Sequence, residues 1–211
     1  MLFLVRHGQS EANAAGVLAG RVDSALTELG CRQADALGEA LTSQVQDACR
    51  ILTSPLRRAV RTADAIAAAL PSLSGFAAEA VAKVETDERF IELDYGELDS
   101  TAPGNLPPGL WDHWCTDSSW RPPGGETLEE VAARVRAGCE DLTEEAARGD
   151  VIVVSHVSPI KAAVAWALGS GPELAWRLSL GVASITRIST GGPRGPQLVS
   201  FNETAHLSAF R

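Results

Sequence analysis

The chain has 211 residues, 45% hydrophobic and 21% charged, a globular balance that argues for one domain and against a disordered chain. Eighteen basic residues against 27 acidic ones leave a net charge of −9, so nucleic acid and anionic membranes are excluded as partners and any basic site has to be local. No apolar run approaches the ~20 residues of a membrane span. Met1 leads through Leu2-Phe3-Leu4-Val5 directly to Arg6, without the basic start and long apolar core of a signal peptide, which makes the cytoplasm the expected location.

Leu2–Val5 is a short apolar run closed at once by Arg6-His7-Gly8, the pattern of a buried strand ending in a loop. Residues 28–41 place Ala34, Leu37 and Leu41 at helical spacing behind Thr27 as N-cap. Ile51-Leu52 predicts a second strand. Ser54-Pro55 then reads as N-cap and first helical position of a helix running to about Leu70, and a weaker strand is expected at about Ala80–Val84. Residues 101–125 hold five of the eleven prolines together with Trp111, Trp114 and Trp120. So long a stretch without periodicity is either disordered or a functional loop, and the tryptophans favour a partly ordered cap. They read first as cap packing, with a substrate platform as the alternative.

Thr127 and Glu130 form a capping box before the stripe Leu128, Val131, Val135, Cys139 and Leu142 of a long helix. Val151–Ser155 is the clearest buried strand. Ser158-Pro159 repeats the N-cap and proline signal for a helix ending near Gly169. Strands at about 182–188 and 197–201 flank the turn Gly191–Pro196. Strands alternating with helices predict an α/β fold with a mostly parallel sheet and a C-terminal hairpin. Cys31, Cys49, Cys115 and Cys139 form no CxxC pair and have no histidine at zinc spacing, so they read as free thiols and no metal site is expected.

Three polar clusters occupy equivalent places: Arg6-His7 after the first strand, Arg57-Arg58 in the first turn after the second, and His156 after strand 151–155. Ligands of open α/β sheets bind beyond the carboxyl ends of the strands. Parallel strands would gather these clusters at one edge, as a pocket of arginines, histidines and helix N-termini suited to an anion such as phosphate.

The run Leu4-Val5-Arg6-His7-Gly8-Gln9-Ser10-Glu11-Ala12-Asn13 resembles the signature of the histidine phosphatase superfamily, in its phosphoglycerate mutase-like branch. Thr53-Ser54-Pro55-Leu56-Arg57-Arg58-Ala59, Glu92-Leu93-Asp94-Tyr95-Gly96, Pro123-Gly124-Gly125-Glu126-Thr127, Val153-Val154-Ser155-His156 and Asn202-Glu203-Thr204-Ala205-His206-Leu207 resemble the family's later motifs, in its order. The resemblance spans essentially the whole chain. It implies a three-layer α/β/α sandwich, one domain over residues 1–211 with a cap or loop insertion at about 97–125, and metal- and cofactor-free chemistry.

By the same resemblance, His7 is the nucleophile that forms a phosphohistidine, and Glu92 is the proton donor to the leaving oxygen. Arg6, Arg58, His156 and the neutral Asn13 hold the phosphoryl oxygens. The register Ser-x-Leu-x-Arg-Ala selects Arg58 over Arg57, since neighbours in a helical turn point about 100° apart. The register Glu-x-x-x-Gly selects Glu92 over Glu85, Glu88 and Glu97. Arg57 and Arg61 read as a solvated face, His113 as a loop residue and His206 as a structural contact. The last motif, His156-Val157-Ser158-Pro159, is closer to α-ribazole and acid phosphatases than to the mutases' His-Gly-Asn-Ser. The expectation is hydrolysis of small phosphorylated metabolites, with a phosphoglycerate mutase or a catalytically weak phosphate-ligand binding protein as alternatives, and with a homodimer among the expected assemblies.

Overall fold

The computed structural model describes residues 1–45, 49–70 and 83–210, and for Cys49 the backbone alone. Strand β1 (Leu2–Arg6) lies parallel to β4 (Asp150–Ser155), β4 to β2 (Cys49–Thr53), and β2 to β3 (Val84–Thr86). Strand β5 (Ile185–Ser189) runs antiparallel to β1, and β6 (Gln197–Glu203) antiparallel to β5, giving the order β3-β2-β4-β1-β5-β6. The helices are α1 (Glu11–Ala14), α2 (Glu28–Thr42), α3 (Arg57–Ala69), α4 (Leu110–Thr116), α5 (Leu128–Arg148) and α6 (Val157–Ala167).

Strand periodicity sorts the core into two layers. Leu2 and Leu4 of β1, with Val151 and Val153 of β4, face the cluster that holds Val131, Val135 and Cys139 of α5 and Ile160 of α6. Phe3, Val5, Ile152 and Val154 face the other side, against Leu37 and Leu41 of α2 and Ala63 and Ile66 of α3. Both faces being covered, the central strands are apolar throughout, as buried parallel strands must be. The expected helix stripes, the Thr27 N-cap and the Thr127/Glu130 capping box are all present.

Two helix starts depart from expectation. Helix α3 begins at Arg57 with Leu56 as N-cap, and the Ser54 hydroxyl meets His156 and the Leu56 N–H instead. Helix α6 begins at Val157, with His156 as N-cap, so Ser158-Pro159 lie inside the first turn. Its first amides, on Val157 and Ser158, donate to the Glu92 carboxylate at 3.1 and 3.2 Å. A distant acid caps this helix, which is why no local capping residue marks its start.

The expected strand at about 80–84 is β3 at Val84–Thr86, and Ala80–Ala82 lie outside the described residues. Strand β5 starts at Ile185 rather than 182, because Ala183 and Ser184 bond to the backbone of His7 and Arg6. Within 97–125, helix α4 and a 3-10 turn at Pro103–Asn105 order the expected cap, and this puts His113 on a helix, edge-on to Trp120 at 5.9 Å, rather than on a loop.

Candidate active site

The strand register decides the convergence. Arg6 sits opposite Ser155 and Thr53 opposite Val154, so His7, Ser54 and His156 leave three neighbouring strands at one edge. The His7 amide donates to the Ser155 carbonyl at 3.1 Å, and the Ser54 amide to the Val154 carbonyl at 2.9 Å. The next residue, Gly8, packs so tightly on the start of α2 that a Cβ would lie 2.3 Å from the Gly30 carbonyl oxygen. Only glycine lets the loop turn back here.

The two hydrogen bonds of His7 define its tautomer. Nδ1 lies 2.7 Å from the Gly8 carbonyl, which can only accept. Nε2 receives the Arg58 Nε–H at 3.2 Å, and a guanidinium can only donate. The proton is therefore on Nδ1 and the lone pair on Nε2, in the site. Burial first, and then the Arg6 and Arg58 charges, push the His7 pKa well below its ordinary value. His156 stands 4.9 Å from His7 between ring centroids and is held neutral in the same way, by burial and the neighbouring cations.

Arg58 is 1% exposed, whereas Arg57 is exposed one position earlier. Its guanidinium donates to the carbonyls of Val22, Ala19 and Gly20 at 2.7, 3.1 and 2.8 Å. Arg6 donates Nη1 to the Leu180 carbonyl at 2.5 Å, and burial lowers its pKa to about 10 against the opposing pull of Glu92. Arg6 Nε and His156 Nδ1 are buried without a hydrogen-bond partner among the described residues. Such groups are costly unless something pairs with them.

Glu92, 4% exposed, accepts from the amides of Leu93, Val157 and Ser158 at 2.7, 3.1 and 3.2 Å. The two α6 amides it meets directly follow His156, which brings its carboxyl to the same edge of the sheet. The rival Glu85 is paired with Arg50 at 2.9 Å. Asn13 is engaged locally: its Oδ1 accepts from the amide and hydroxyl of Ser10 in a capping box. Arg57 and Arg61 are exposed, and His206 Nε2 lies 2.9 Å from the Ala183 carbonyl.

Four supporting groups escaped the sequence reading. Ser54 Oγ lies 2.7 Å from His156 Nε2 and fixes that ring. Thr62 Oγ1 accepts from the Gly8 amide at 3.2 Å and donates to the Arg58 carbonyl at 2.8 Å. Asp99 accepts from the amides of Gly20, Arg21 and Val22, and so shapes the loop whose carbonyls hold Arg58. Arg134 donates to the Arg89 and Glu92 carbonyls and pairs with Glu126 at 2.8 Å, clamping the turn that carries Glu92. Ser54 lies inside the motif Thr53–Ala59, the one signal that could have found it; Thr62, Asp99 and Arg134 lie outside the quoted motifs. Among the described residues no group of three histidines, cysteines or carboxylates is arranged to hold a metal, and no helix is long and apolar enough to cross a membrane.

The sequence profile of the histidine phosphatase superfamily (branch 1) matches residues 2–204. Over 98% of its length the chain is 34% identical to a bifunctional protein of Mycobacterium tuberculosis, and it spans about half, 54%, of that relative. It is 32% identical to a putative phosphoserine phosphatase of Hydrogenobacter thermophilus, covering 97% of this chain and 96% of the relative. Identity is also 32% to a probable phosphoglycerate mutase of Yersinia enterocolitica, over 98% of this chain and 94% of that one. Among solved structures, a mycobacterial glucosyl-3-phosphoglycerate phosphatase superposes with a TM-score of 0.83 at 28% identity, covering 96% of this chain and 99% of its own. With the profile covering nearly every residue and the motifs gathered at one sheet edge, the chain belongs to branch 1 of the histidine phosphatase superfamily.

Proposed function

We propose that this chain hydrolyses phosphomonoesters of small metabolites through a phosphohistidine at His7. The observation that carries this reading is the neutral His7, with Nε2 facing Arg58 and its proton held on Nδ1 by Gly8. In the first step the Nε2 lone pair attacks phosphorus, the P–O ester bond breaks, and the Glu92 carboxyl gives its proton to the departing oxygen. In the second, Glu92 takes a proton from water, the water oxygen bonds to phosphorus, and the N–P bond breaks to release inorganic phosphate. Arg6, Arg58 and His156 hold the three equatorial oxygens as charge spreads onto them, with the Asn13 amide as a neutral donor. The two guanidiniums, with the neutral donors beside them, do what a metal does in other phosphatases, so the reading is metal-independent. It places the enzyme in the cytoplasm, where the free thiols of Cys31, Cys115 and Cys139 are the ordinary state.

Rapid quenching during turnover is expected to trap an acid-labile, base-stable phosphate on His7. His7→Ala should abolish the labelling and lower kcat by about 10⁴-fold or more, while excess chelator leaves the rate unchanged. Normal turnover by His7→Ala would end the mechanism. Rescue of a stripped protein only by divalent metal would end its metal independence. The likeness to a probable mutase supplies the second reading: there the trapped phosphate passes to a phosphoglycerate faster than to water, and the ratio of transfer to hydrolysis decides between the two.

A further inference from the structure

Next to the start of α6 lies a cavity of about 320 Å³. Leu93, Val157 and Ser158, whose amides hold the Glu92 carboxylate, are also part of its wall. The cavity therefore begins where a departing oxygen would receive its proton. Its far wall is formed by Trp111, Trp114 and Trp176, whose rings meet edge-to-face at 5.5–5.9 Å. Trp114 is 1% exposed, yet its indole N–H has no partner among the described residues. Lys161 completes the lining. Its ammonium makes no ion pair or hydrogen bond that the structure records, and it lies close enough to Glu92 and Arg6 to feel both charges.

The chemistry of this wall is unusual for its size. The flat indole faces and edges suit a ring or another planar apolar body. Against them stand two unpaired donors, a buried N–H and a half-buried ammonium, which are costly unless an acceptor meets them. An amine would meet Lys161 with like charge. Burial lowers the Lys161 pKa, so a bound anion would restore what desolvation takes from its charged form.

Resting on the phosphatase reading above, we propose that this cavity is a leaving-group pocket for phosphate esters of hydroxy acids that carry an aromatic or similarly planar apolar group, the ring packing among Trp111, Trp114 and Trp176 and the carboxylate pairing with Lys161. Lys161 and the tryptophans are then specificity determinants outside the phosphate cage.

Three phosphate esters test this: those of 3-phenyllactate (ring and carboxylate), 1-phenylpropan-2-ol (ring alone) and lactate (carboxylate alone). The first should exceed each of the others in kcat/KM by about 10–100-fold, the usual worth of a buried charged hydrogen bond or an apolar ring. Lys161→Met should collapse the preference for the phenyllactate ester over the phenylpropanol ester. Trp111→Ala should collapse its preference over the lactate ester. Should Lys161→Met not fold, tryptophan fluorescence of the wild-type protein titrated with 3-phenyllactate, 1-phenylpropan-2-ol and lactate decides the same point through their relative affinities. Equal kcat/KM for the three esters, with p-nitrophenyl phosphate turned over normally, overturns the pocket and leaves the phosphatase standing. Failure to turn over any ester, with no phosphate trapped on His7, overturns both.

Discussion

The phosphate cage and the tryptophan-lined region next to the start of α6 are built on opposite plans. The cage hangs on the ends of three adjacent strands and the first turns of two helices, so its geometry follows from sheet register. The tryptophan wall is assembled from short segments, with Trp111 and Trp114 on a seven-residue helix and Trp176 on a 3-10 turn. A cage set by backbone hydrogen bonds is expected, on the proposed function, to read phosphate and ignore the alcohol. A wall set by side-chain packing varies without disturbing the cage. Glu92 joins them, capping α6 with its carboxylate through the amides that follow His156.

The largest contrast is expected at that joint. Glu92→Gln should slow phosphorylation by an alkyl phosphate by about 10²–10⁴-fold, the usual worth of general acid catalysis. The p-nitrophenyl ester, whose leaving group departs without a proton, should lose far less. Single-turnover rates separate this step from the water step, in which Glu92 also acts. Equal losses on both esters would remove Glu92 as the acid. Arg58→Ala should cost about 10²–10³-fold on both esters alike, since it supports the phosphoryl oxygens they share. A loss confined to the alkyl ester would break the claim that the cage ignores the leaving group.

Asp99→Ala reaches the cage from outside. It frees the amides of Gly20, Arg21 and Val22, loosens the carbonyls that hold Arg58, and should lower kcat by about tenfold on both esters, the scale of a misplaced catalytic group. An unchanged kcat would show that Arg58 needs no such brace. The smallest effect is on stability. His7 and His156 both have pKa values depressed by burial, so each is neutral in the folded chain while the unfolded chain takes up protons below about pH 6.5. Their contribution is complete above that pH and falls as pH drops, by up to about 1.4 kcal/mol per pH unit for each histidine. Chemical denaturation between pH 7.5 and 5.5 should show this slope, and His156→Gln should reduce it.

The local code was sufficient where one segment carries both signal and partner. The strand expected at residues 2–5, the capping box at Thr127 and the burial of Arg58 rather than Arg57 each depend on spacing within one turn or one strand. It misplaced the starts of α3 and α6 because the groups completing those ends come from elsewhere. Ser54 turns to His156, 102 positions away, and Glu92 caps a helix 65 positions later.

By its own chemistry, then, the sequence determined a mostly parallel α/β sheet and a cationic cluster around His7, and its motifs carried a resemblance to the family, because strand-end motifs keep their meaning in any frame with that strand order. Tertiary structure alone decided the tautomer of His7, the capping role of Glu92, the brace from Asp99 to Arg58, and the cavity between Lys161 and the tryptophans. Each of these depends on hydrogen bonds or packing between residues tens of positions apart, and no local periodicity records a contact made only when the chain has closed.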